Sequence, residues 1–251
     1  TPMPRQKHQS SEEMLQMLSS IDVHSSVAVY LQIENHVQFA ITAPGRLAYN
    51  AVGAYGGNVV DADLQRPDGS AERDSFETFA PGLNIENTVH YTNVTVLNDG
   101  ANSAPAVIRA TGVDDLLDNI NPSSVVANFG FTFPAAADDT DLPFYVTTDY
   151  ILEPGKPYLR IETTVTNTSP TPKNIYFAEY LNGSGQVEMF QDSYGFGEPL
   201  VTACPNTATA DLCHMVAYSG EDGADGVSYG YITGAGDKIT SFSTSGVAIP
   251  L

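Results

Sequence analysis

From Ser26 onward the chain repeats one pattern: a short run of alternating apolar and polar residues, then a cluster of Gly, Pro, Asn or Asp. Alternation with period two puts every second side chain on one face of an extended strand, so one face can be buried while the other meets water. "VHYTNVTVLND", "AVIRATGV", "VVANFGFTFP", "PFYVTTDYILEPG", "PYLRIETTVTNTS" and "NIYFAEYLN" read this way, as do "VSYGYITG" and "ITSFSTSGVAIP" nearer the end. In "PYLRIETTV", Leu159, Ile161 and Val165 share one face and Arg160, Glu162 and Thr164 the other. "SVAVYLQIENHVQFAIT" reads as a hairpin turning near Glu34 and Asn35. Turn signals recur about every ten residues, at Asn98-Asp99-Gly100, Glu153-Pro154-Gly155, Asn167 to Pro172 and Asn182-Gly183. Short strands at that spacing, without the alternation of strand and helix that a parallel sheet needs, predict an all-β fold: a large antiparallel β-sandwich or barrel.

Two segments depart from the pattern. "SSEEMLQMLSS" predicts a short helix, with Ser10 as N-cap and Glu13 completing a capping box. "VDDLLDN" (113–119) reads as one helical turn. The expected organisation is a tail and short helix over 1–26, then a single β-sandwich domain over 27–251.

Charge narrows the function. Of 251 residues, 30 are Asp or Glu and 10 are Lys or Arg, a formal net charge of −20. Such a surface repels nucleic acid and anionic membranes, which bind through basic residues. It favours cationic partners and leaves calcium as a possible ion. No apolar run approaches the ~18–20 residues of a membrane span, so membrane insertion is not expected. Abundant Gly, Pro, Ser, Thr, Asn and Tyr suit a secreted, β-rich protein. No signal peptide is present, and the opening "TPMPRQKHQ" is compatible with a processed form. Cys204 and Cys213, the only cysteines, close a short polar loop in "TACPNTATADLCHMV", which reads as a local disulfide in an oxidising compartment. The competing readings are two thiols, or a zinc site with His214 for which the spacing offers no fourth ligand.

Motifs for chemistry are sparse. "ITAPGRLAYNAVGAYGGNVVDADLQRPDG" packs glycines and aspartates together, but no Lys follows the glycines as in a P-loop, and their spacing is wrong for a dinucleotide loop. Gly56-Gly57 reads as a tight turn entering a strand through Val59 and Val60. Asp61 and Asp63 share a strand face, and with Asp68 they form a weak calcium candidate set. "AADDTDLP" and "GEDGADG" are acidic loops of the same kind, and "NGSGQ" lacks the full nucleophile elbow. His8, His24, His36, His90 and His214 form no metal-binding pair. Carbohydrate chemistry would need paired carboxylates or Tyr and His with an acid, for which His90, Tyr91, Glu162 and Glu179 are the candidates.

"LQIENHVQFAITAPGR", "AYGGNVVDADLQRPDG", "VTVLNDGANSAPAVIRATGVDDLL" and "TTDYILEPGKPYLRIETTVTN", in that order, resemble the N-terminal β-sandwich region of large secreted bacterial proteins. These include the carbaryl-hydrolase-like (CehA/McbA) metallohydrolase family, and the similarity covers roughly residues 27–235. The resemblance implies a galactose-mutarotase-like supersandwich. The family's hydrolase activity belongs to a separate metal-binding domain with paired histidines, which this sequence lacks, so no catalytic residue carries over. The expected function is a non-catalytic, secreted or cell-surface module for binding or assembly, with protein partners, self-assembly or carbohydrate in view. The alternative is a carbohydrate-active enzyme, a lyase, glycosidase or mutarotase. Thiol titration in denaturant without reductant should find no free thiol; two would overturn the disulfide and weaken the case for secretion.

Overall fold

The computed structural model describes residues 28–32, 37–45, 55–64, 75–83, 87–116, 141–175, 177–183, 187–191, 195–197, 201–204, 215–220, 227–232, 234, 241–244 and 247–250. They form an antiparallel β-sandwich of two sheets, one of 12 strands and one of 4. The N-terminal helix expected around Ser10 to Leu18 and the strand "VVANFGFTFP" lie outside the described residues.

The large sheet begins with the expected hairpin, β1 (Ala28–Gln32) and β2 (Val37–Thr42), followed by β3 (Val59–Leu64) and β4 (Phe76–Leu83). It continues through β5 (Asn87–Asp99), β6 (Ala106–Leu116), β7 (Phe144–Leu152) and β8 (Leu159–Asn167), each paired with the one before. β9 (Phe177–Gly183) pairs along the other edge of β4 and leads through β16 (Val247–Pro250) and β15 (Ser241–Thr244) to β12 (Val201–Cys204). The small sheet has the order β11 (Gly195–Gly197), β10 (Val187–Gln191), β13 (Met215–Gly220), β14 (Ser228–Ile232).

β4 is the branch point. One edge pairs with β9, while the other is shared: Phe79 faces Val59 of β3, and Gly82 and Leu83 face Thr88 and Asn87 of β5. Two arms of the large sheet therefore diverge, one through β3, β2 and β1 and the other through β5 to β8. The alternating strands turn their apolar faces into the space between. On β7, Val146, Tyr150 and Leu152 are buried, and on β8 the residues expected inside, Leu159, Ile161 and Val165, pack against the same core. Full burial of a side chain such as Leu83 or Ile108 stabilises the fold by about 1.5–3 kcal/mol. The small sheet adds Val216 and Tyr218 to this core, and the Tyr218 hydroxyl donates to the Asn182 carbonyl at 3.0 Å.

The junction of the arms is the Gly56-Gly57 turn. Gly56 N–H donates to the Gly45 carbonyl at 2.7 Å and Gly57 N–H to the Thr42 carbonyl at 2.9 Å. A β-carbon on Gly56 would overlap the Ala43 carbonyl. Gly57 has φ +88, and a β-carbon there would lie 2.7 Å from the Tyr91 ring. Its carbonyl accepts the Tyr150 hydroxyl at 2.7 Å, tying the turn before β3 to β7 in the opposite arm.

Two local expectations are corrected. Residues 113–116 belong to β6 and not to a helical turn, because Val113 to Leu116 pair with His90 to Asn87. The buried Asp114 carboxylate there also accepts the Leu142 N–H at 2.6 Å. Asn182-Gly183 ends β9 as strand and does not turn, held by pairing with β4 on one side and, at Asn182, β16 on the other. The turns at Gly100 and Gly155 are as expected, with φ +79 and +71.

Gly57→Ala combines a left-handed backbone with a contact on a buried ring, and should cost about 2–4 kcal/mol in urea denaturation. Gly155→Ala, with open space around the added methyl, should cost only about 1–2 kcal/mol. Equal losses would contradict this account of the junction.

Candidate binding groove

The divergence of the arms leaves a groove of about 730 Å³ beside β14. Phe39 of β2, Phe76 and Phe79 of β4, and Leu181 of β9 supply apolar walls, as do Leu159 and Ile161 of β8. Tyr229 and Tyr231 alternate on β14 and turn toward the large sheet. Tyr229 donates to the Ala62 carbonyl at 2.7 Å and packs on Phe76 with ring centroids 5.3 Å apart. Tyr231 stacks on Phe79 at 5.8 Å. Polar side chains enter the lining at Asp63, Arg160 and Glu162. Arg160 is paired with Glu162 and lies 3.4 Å from Glu153. The volume lies within the roughly 300–1,000 Å³ of ordinary ligand sites, whose walls are likewise mostly apolar and aromatic.

Behind this wall lies a polar cluster. The Tyr231 hydroxyl donates to the carboxylate of Glu179, which is 7% exposed. Burial is the main cause that pushes this carboxyl up to about 6, with the Tyr231 hydrogen bond opposing it. Deeper still, Tyr91 bonds Thr148 at 2.5 Å, Thr148 bonds Thr163 at 3.1 Å, and Tyr91 meets the Tyr150 hydroxyl. A hydroxyl carries one proton, and that of Tyr150 is on the Gly57 carbonyl. The chain of donors therefore runs from Thr163 through Thr148 and Tyr91 to Tyr150 and Gly57. Burial pushes both phenols up, and the nearby Glu179 charge adds to this, so they remain neutral donors.

Of the four candidates for carbohydrate chemistry, Tyr91 and Glu179 occupy this interior cluster. His90 points from the other face of β5, stacks on Tyr55 at a centroid distance of 4.0 Å, and bonds Asp115 at 3.0 Å. Glu162 is exposed and paired with Arg160. Asp61 and Asp63 lie half-buried on β3, and Asp68 lies outside the described residues. Among the described residues no group of three or more His, Cys, Asp or Glu could hold a metal ion. Cys204 is on β12, and Cys213 lies outside the described residues. Tyr150 and Tyr231 are not among the candidates the sequence offered. The alternation Tyr229-Gly230-Tyr231 was the available signal for the second.

Compared with protein families, curated proteins and solved structures, the chain has no match.

The raised Glu179 carboxyl sets a sign for pH dependence. Between its ordinary value of 4.5 and about 6 the folded state binds the proton more tightly than the unfolded state. The stability contribution is therefore complete below pH 4.5 and is lost as pH rises through about 6, a change of roughly 2 kcal/mol. Glu179→Gln keeps an acceptor for Tyr231 and does not titrate. It should exceed the parent in stability by about 1–2 kcal/mol at pH 7 and lose that advantage near pH 4. Urea midpoints across this range give the comparison, and a difference independent of pH would refute it.

Proposed function

We infer that this chain is a non-catalytic, secreted or cell-surface binding module whose ligand occupies the groove beside β14. The observation that carries the reading is an aromatic-walled groove of ligand size built from both sheets, with buried hydrogen bonds holding its wall in place. The candidate reactive residues support it by their placement. His90 is engaged on the outer face of β5, Glu162 at the groove is tied up with Arg160, and Tyr91 is fully buried in a structural hydrogen-bond chain. The resemblance to accessory sandwich regions of secreted bacterial proteins, and the acidic charge, point to the same extracellular setting.

One observation favours a second reading, a carbohydrate-active enzyme. The Glu179 carboxyl, pushed up to about 6, bonds a tyrosine that lines the groove, an arrangement suited to a general acid.

An uncharged apolar fluorophore such as N-phenylnaphthylamine tests the binding reading without opposing the acidic charge. The native protein should bind it. Ile161→Trp, which adds bulk on the groove face of β8, should weaken binding about tenfold, whereas Thr164→Trp on the opposite face should not. No binding, or equal effects of the two variants, would refute the reading. Turnover of aryl glycosides by the parent that disappears in Glu179→Gln would establish the enzyme instead.

A further inference from the structure

A strand that turns its face to a cavity lines it with every second residue, while a strand that turns its edge lines it with every residue. β2 follows the first rule, contributing Val37 and Phe39. Two segments follow the second: residues 157–162, leading into and along β8, and residues 227–232, along β14, line the groove without a gap. β8 ends the path of the large sheet and β14 ends the small one, and among the described residues each pairs with a neighbour on one side only. Among the described residues the groove is thus flanked by two sheet edges, each with a side that no described strand pairs.

We propose that its occupant is an extended strand of a partner polypeptide, apolar at alternate positions and basic between them, which adds to the edges of β8 and β14. The proposal rests on the binding reading and names the ligand class for that site. A strand is the one polymer whose main chain can satisfy such edges at regular spacing. Its inward side chains would meet Leu159, Ile161, Tyr229 and Tyr231. Charge complementarity selects the rest. The lining carries Asp63 and Glu162 against Arg160, which is itself paired with Glu162 and Glu153, on a chain of net charge −20. A second copy would bring a further −20, so a basic partner is favoured over self-association.

The test uses a synthetic peptide of the length of β8, 9 residues, alternating lysine with valine and tyrosine. It should displace the fluorophore, slow hydrogen exchange at the amides of β8 and β14, and bind less tightly as salt rises. Two forms, N-methylated on either set of alternate amides, should include at least one that binds about tenfold more weakly, because the methyl removes a main-chain donor. Two outcomes would overturn the strand while leaving the binding reading intact. In one, the fluorophore binds but the peptide neither displaces it nor protects the two edges, which assigns the groove to a small apolar ligand. In the other, both methylated peptides bind as the parent does, which assigns recognition to side chains alone. Protection of the same amides by self-association, seen as a dimer in sedimentation without peptide, would replace the partner by a second copy. Failure of the fluorophore to bind would instead bring down the binding reading.

Discussion

The Tyr150 hydroxyl on the Gly57 carbonyl joins the two arms of the large sheet where they diverge. The contact exists because Gly57 has no side chain. Its left-handed backbone turns the carbonyl toward β7 while the missing β-carbon leaves room for the Tyr91 ring. The bond is also the end of a longer order. Four hydroxyls in series leave their last proton on the turn, and each needs the next in place to be satisfied in an interior where an unpaired polar group costs about 1–3 kcal/mol. The junction and the core are therefore specified together.

The same divergence makes the groove. Arms that ran on from β4 as one flat sheet would leave no space between β2, β3 and β8. One wall of the groove is β14, whose two tyrosines act through opposite ends: rings packed on Phe76 and Phe79, hydroxyls bonded to Ala62 and Glu179. Tyrosine suits such a wall because its body is apolar and its tip needs a partner. Glu179 is one of two buried carboxyl groups, with Asp114, among the described residues. Its burial works against the charged form, a destabilising feature that a merely structural hydrogen bond to Tyr231 would not require.

The faces of β8 were readable residue by residue because the period of a strand is two and burial follows it there, whereas β4 and β9 are buried at consecutive positions. The inward set on β8 came directly from alternation. Expectations failed where local propensity met a tertiary partner. Val113 to Leu116 looked helical, yet pairing with β5 extends the strand through them, and burial of Asp114 against the Leu142 amide completes it. Asn182 looked like a turn residue, yet strands on both sides claim its backbone. The candidate groove was not legible at all, since Tyr229 meets a residue 167 positions away and Tyr150 one 93 away.

By itself the sequence determined the all-β class, the inward face of β8, and the tight turn at Gly56-Gly57, because each depends on neighbours within a few residues. It also determined the strong negative charge, which depends on no structure. Tertiary structure alone decided that the large sheet branches at β4, that Tyr91 and Glu179 are interior while His90 and Glu162 are not, and that β8 and β14 line one groove. The reason is physical: periodicity says which side of a strand is buried, whereas the partner that buries it is chosen by packing between segments far apart in the chain.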